Sequence, residues 1–137
     1  MKLFSFVVMP NHIHLIAKFN VENPVSSVLR DFKKFTARQI HRQIQAEKDT
    51  QMLMFVREQG IPHQQEYKVW ESGYDARDVF SMEFLQQKMD YIHSNPCQPQ
   101  WNLVDVPEAY LWSTERFYLA EEPCVIPIDD IREYLQG

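Results

Sequence analysis

"VVMPNHIHLIAKF", residues 7–19, sets two histidines one residue apart inside an apolar run. Pro10 and Asn11 are turn formers. The runs on either side, "LFSFVV" (3–8) and "HIHLIAK" (12–18), read as strands, so the stretch predicts a β-hairpin. Strand alternation puts His12, His14 and Ile16 on one face and Ile13 and Leu15 on the other. At a rise of about 3.3 Å per residue, the two histidines stand about 6.5–7 Å apart at Cα. Two imidazoles at that spacing can converge on one metal ion.

The chain then turns helical. Asn23 is placed to cap and Pro24 suits a first helical position. Val25, Val28, Leu29, Phe32, Phe35 and Ile40 follow a helical period, with the basic residues mostly off that stripe. Residues 46–66 mix an apolar run with loop-like sequence and are ambiguous between elements. Ser81 caps a second helix, although Phe84 occupies the position a capping-box glutamate would take. This helix runs to Asn95, because Pro96 disfavours α geometry in the residue before it. Met82, Leu85, Met89 and Ile92 form its core stripe, and Phe84, Lys88, Tyr91 and Asn95 a neighbouring one. Tyr91 and Asn95 project together at i,i+4. His93 lies on the other side, where it packs or hydrogen-bonds near the core.

Composition bounds the class. With 137 residues, 45% of them hydrophobic, the chain is one domain with a real core, assigned to 1–119 and followed by an acidic tail at 120–137. Two cysteines make no disulfide framework, and no stretch has the length of a membrane span, so a cytoplasmic protein is expected. The net charge is −5, yet residues 25–48 carry six cations against two carboxylates. That segment is +4 and the remainder −9. Such a helix can bind a phosphate backbone despite an acidic body, because the local field matters more than the sum. Lys33, Lys34 and Arg38 are the candidate contacts.

"FVVMPNHIHLIAKF", "LRDFKKFTARQI", "VWESGYDA", "DYIHSNP" and "AYLWSTERFY", in this order over residues 3–119, resemble the REP-associated tyrosine transposases. These are IS200-like, single-tyrosine HUH transposases, named for two histidines flanking a hydrophobic residue. The resemblance implies an α+β fold, the ferredoxin-like HUH endonuclease core: an antiparallel sheet with helices on one or both faces. Family members usually carry a strand and helix ahead of the HUH hairpin, and here Met1 stands only a few residues before it. The expectation is therefore a core without its usual first strand and helix, and a sheet lacking an edge strand favours a homodimer.

The resemblance also implies a chemistry. Single-stranded or hairpin DNA is cleaved and rejoined through a 5′-phosphotyrosine, leaving a free 3′-hydroxyl. Carried over by position, Tyr91 is the nucleophile, and His12, His14 and Asn95 hold Mg²⁺ or Mn²⁺. The physical requirements agree, since a phenol ionises near pH 10 and attacks a phosphodiester only with charge stabilisation on the phosphate. Taken singly, each residue has an ordinary explanation: an incidental His pair, a Tyr at the core edge, an Asn ending a helix, a solvated basic face. Two other functions compete. One is a catalytically inactive, truncated DNA-binding remnant of the same fold. The other is a histidine-triad hydrolase, which needs a third alternating histidine where Ile16 stands.

Overall fold

The computed structural model describes residues 1–136. They form two compact units, one from Met1–Asn20 with the chain from Arg77 onward, the other from Val21–Ala76. The architecture is α+β: one two-stranded antiparallel sheet and five α-helices.

In the first unit, β1 (Lys2–Val8) pairs antiparallel with β2 (Ile13–Lys18) as the alternation predicts. The Met9 N–H donates to the His12 carbonyl at 2.8 Å across the Pro10–Asn11 tip. His12 is consumed in closing that turn, so β2 starts at Ile13 and not at residue 12.

The ladder slips between Leu3 and Ser5, where Phe4 is the extra residue of a bulge. Strict alternation would send Phe4 and Ser5 to opposite faces. With the bulge, both reach the same helix: Phe4 packs on Leu85 and Met89, while the Ser5 hydroxyl meets His93. That helix is α3 (Met82–Ser94), whose first turn is capped by the Ser81 hydroxyl accepting from the Phe84 N–H at 3.1 Å. Leu85, Met89 and Ile92 are buried as the stripe predicts, whereas Met82 stays exposed. Val7, Met9 and Ile92 make a second cluster, joined by Ile16, Trp101 and Tyr110. At its C-terminus α3 does not stop dead at Asn95. It tightens into a 3₁₀ turn, Asn95–Cys97, a geometry in which Pro96 needs no N–H.

β1 is occupied on its other edge too. Val8 N–H donates to the Trp112 carbonyl at 2.8 Å, and Thr114 N–H to the Phe6 carbonyl at 3.1 Å. Near its start, Leu3 accepts from Asp129 N–H at 2.8 Å and donates to the Asp129 carboxylate at 3.1 Å. Two tyrosine hydroxyls donate to β1 carbonyls, Tyr110 to Val8 and Tyr118 to Phe4, each at 2.7 Å. The acidic segment after residue 120 thus runs back to β1, and Ile131, which opens α5 (Ile131–Gln136), is buried against Phe4, Leu85 and Met89. Between these segments lies α4 (Glu115–Ala120).

In the second unit, α1 (Val25–Glu47) starts one residue later than the capping pattern suggests, with Pro24 as its N-cap and the Pro24 carbonyl accepting from Ser27 and Val28. Lys48 adopts a left-handed conformation and ends it. Asp49 then caps α2 (Thr50–Gly60), accepting from Met52 N–H at 2.9 Å, which resolves the ambiguous stretch into a helix. Trp70 docks on α1, its indole N–H donating to the Thr36 hydroxyl at 2.8 Å, and Tyr67 stacks flat on His41. Gly60 is required where it stands: a Cβ there would lie 2.5 Å from the Gln65 carbonyl oxygen.

Burial of Ile131 makes a direct prediction. Ile131→Ala lowers unfolding free energy by about 2–5 kcal/mol, the cost of emptying a packed aliphatic site. The measurement is the urea midpoint at unchanged slope; a segment detached from the core would leave the midpoint where it was.

Candidate active site

The hairpin tip folds the His12 ring onto the His14 ring, centroids 4.9 Å apart and nearly edge to face. Asn11 fixes the outer one. Its carboxamide oxygen lies 2.7 Å from His12 Nδ1, so Nδ1–H donates and the Nε2 lone pair is left to face a ligand. Burial lowers the pKa of both imidazoles; for His14 the nearby His12 and the Lys88 ammonium lower it further. Both rings are therefore neutral near pH 7, the form that coordinates a metal.

α3 brings the next group from the opposite side. The Tyr91 ring meets the His14 ring at 5.2 Å, again edge to face, and Tyr91 remains 49% exposed. Within one chain, then, two of the histidines and the tyrosine singled out in the sequence converge. Lys88, one turn before Tyr91, holds its ammonium 5.9 Å from the centre of that ring and 5.0 Å from that of Phe84. Trp101 walls the other side, 5.2 Å from the His12 ring. Lys88 was legible as a member of the Tyr91 stripe. Nothing in the spacing of Trp101 ties it to His12.

Asn95 is buried to 2% exposure, and its carboxamide oxygen has no hydrogen-bond partner. An unpaired buried acceptor is costly, on the order of 1–3 kcal/mol, and asks for an explanation. Among the described residues no three His, Cys, Asp or Glu side chains gather as a metal group. The histidine pair offers two neutral nitrogen donors, and the orphaned Asn95 oxygen, one turn past Tyr91, is a hard acceptor of the kind Mg²⁺ and Mn²⁺ take.

The basic candidates belong to the other unit. Lys33 donates to the carbonyls of Glu71, at 2.9 Å, and Gly73, tacking that loop to α1. Lys34 and Arg38 are exposed.

Behind Tyr91 lies a polar cluster that only the fold assembles. His93 Nδ1 sits 2.5 Å from a Glu115 carboxylate oxygen, and Nε2 sits 2.9 Å from the Thr114 hydroxyl and 3.3 Å from that of Ser5. The two hydroxyls are 2.8 Å apart, and Thr114 also accepts from the Phe6 N–H at 3.2 Å. Burial brings the His93 pKa down to about 4 and raises that of Glu115. The imidazole is therefore neutral at pH 7, with Nδ1–H donating to the carboxylate and Nε2 accepting from a hydroxyl. The connectivity is that of a hydrolase triad, but Ser5 and Thr114 are fully buried, so neither hydroxyl can meet a substrate.

Residues 1–95 match the family model described as "Transposase IS200 like". The chain belongs to the IS200-like transposase family. The matched stretch contains both histidines and Tyr91 and closes on Asn95; Trp101, Thr114 and Glu115 lie beyond it. The family's work is DNA transposition, so DNA is the substrate class. No curated protein and no solved structure matches the chain. No helix among the described residues is long and apolar enough to cross a membrane.

Because half of Tyr91 faces solvent, removing its hydroxyl should leave the fold alone. Thermal unfolding of Tyr91→Phe is expected to match wild type within about 0.5 kcal/mol, the range for exposed substitutions.

Proposed function

We propose that the chain cuts and rejoins single-stranded DNA, hairpin-forming ends included, with Tyr91 as nucleophile. The observation that carries this reading is the Tyr91 ring resting on the His14 ring across two different elements, beside a second neutral imidazole. The Tyr91 phenolic oxygen forms a bond to the backbone phosphorus as the P–O3′ bond breaks. The product is a 5′-phosphotyrosine and a free 3′-hydroxyl; the phenol gives up its proton to water and the departing oxygen takes one up. Attack by a 3′-hydroxyl on the phosphotyrosine reverses the step and joins strands, with one phosphoester exchanged for another each time.

His12, through Nε2, His14 and the Asn95 carboxamide oxygen are the groups that would hold Mg²⁺ or Mn²⁺. A divalent cation bound there supplies positive charge beside the non-bridging phosphate oxygens. The Lys88 ammonium adds charge on the Tyr91 side. Lys34 and Arg38, with Lys33 where a phosphate displaces the 71–73 carbonyls, contact the strand backbone. A homodimer would join at the outer edge of β2, the strand edge left unpaired by the sheet.

The test is incubation with labelled single-stranded hairpin DNA and Mn²⁺, resolved on a denaturing protein gel. A covalent band is expected, absent in Tyr91→Phe, abolished by chelation and restored by added metal. Asn95→Ala should raise the Mn²⁺ required by roughly 10-fold or more. Folded wild type that binds a range of hairpins yet never forms the band would instead be the inactive DNA-binding remnant.

Since one chain supplies both the tyrosine and the histidines, mixing Tyr91→Phe with His14→Ala should not restore adduct. Recovery of the band in the mixture would show that the site is shared between chains.

A further inference from the structure

We propose that the buried chain Glu115–His93–Thr114/Ser5 is a positioning element that sets Tyr91 against His14; this rests on Tyr91 being the reactive group. His93 is two residues past Tyr91 on α3, about 200° round the helix at 3.6 residues per turn. The two side chains therefore report one rotation: when His93 is locked inward, Tyr91 is aimed at the hairpin.

The rest of the α3 contact is apolar, through Leu85, Met89 and Ile92. Such contacts are non-directional and tolerate small slides and rotations. Hydrogen bonds of 2.5–2.9 Å with fixed approach angles do not. A helix rotation of about 20° would carry a side chain at a radius of about 5–6 Å through about 2 Å. A misplacement of about 1 Å can cost on the order of 10²-fold in rate.

The anchor points are also informative. Ser5 is paired across the ladder with Ile16, two residues from His14, so the cluster ties the tyrosine helix to the strand pair that carries the histidine. Thr114 accepts from the Phe6 N–H at 3.2 Å, so the hydroxyl whose proton faces His93 Nε2 is itself tied to β1. Glu115 is the outermost member and is partly open to solvent. Replacing it perturbs the chain from its rim with the least damage to the core.

The experiment uses two readouts on the full chain. The first is the single-turnover rate of covalent adduct formation at saturating hairpin DNA and Mn²⁺, with DNA affinity measured alongside. The second needs no activity: the ring-current shift that Tyr91 imposes on the ¹³C-labelled His14 imidazole, taken as the difference between each protein and its Tyr91→Leu counterpart. His93→Leu and Glu115→Leu are expected to stay able to bind DNA within about twofold, lose adduct rate on the order of 10²-fold, and lose most of the His14 shift. Glu115→Gln, which keeps an acceptor for Nδ1–H, should recover most of both. Should His93→Leu fail to fold, the Glu115 pair carries the test. A folded His93→Leu or Glu115→Leu protein with the wild-type His14 shift overturns the proposal. Absence of adduct from wild type itself would count against Tyr91 as nucleophile and leave the shift measurement to decide the positioning role.

Discussion

Everything at the candidate site depends on α3 lying against β1 at one rotation. β1 is held on both edges and one face. β2 takes one edge, residues 112–114 and 129 take the other, and α3 covers the face carrying Ser5 and Val7. The bulge at Phe4 completes this. It turns an aromatic that alternation would waste into the centre of the Leu85–Met89–Ile131 cluster, while leaving Ser5 free to meet His93. A strand fixed on three sides gives the helix a single seat, and the seat fixes what the helix exposes.

The charges are arranged with equal economy. Two imidazoles whose centroids are 4.9 Å apart would repel if both were protonated, and burial with a neighbouring ammonium keeps them neutral. Their lone pairs are then available, one of them aimed by Asn11 through a ring tautomer. Behind the tyrosine the same physics serves a different end. There burial also suppresses protonation, but His93 spends both nitrogens on internal partners and has none to offer a ligand. Spacing along α3 separates the two environments: residue 91 looks out, residue 93 looks in.

Much of this was legible in the sequence, for local reasons. The hairpin follows from two strand-like runs around Pro10–Asn11, the α3 boundaries from Ser81 and Pro96, and the exposed and buried stripes from a period of 3.6. The family resemblance singled out Tyr91 as the expected nucleophile, which periodicity alone would leave at a core edge. What stayed hidden is non-local. The cluster joins residues 5, 93, 114 and 115, and no spacing rule links positions about 90 to 110 apart. Nor does composition reveal that residues after 120 return to the sheet. Ile128, Ile131, Tyr134 and Leu135 repeat at helical spacing among acidic neighbours, but so short a pattern does not say which surface it covers; packing on Phe4, Leu85 and Met89 does. The bulge escaped for a related reason, since it is a property of the pairing and not of either strand.

A nucleophile for a polymer cannot be enclosed. In the proposed reaction a strand of DNA would reach Tyr91 from outside, and the ring is accordingly half exposed. Precision then has to be built on the protein side of the helix, away from the face that the substrate would meet. A wholly apolar support would be as stable or more so, because a partly buried carboxylate and a buried imidazole are costly to desolvate. Its weakness is that Leu, Met and Ile accept several rotations of the helix at similar cost. A carboxylate 2.5 Å from one ring nitrogen and a hydroxyl 2.9 Å from the other accept one. Buried polarity at that point is thus the feature expected where the orientation of the outward face, and not stability, is what the helix must deliver.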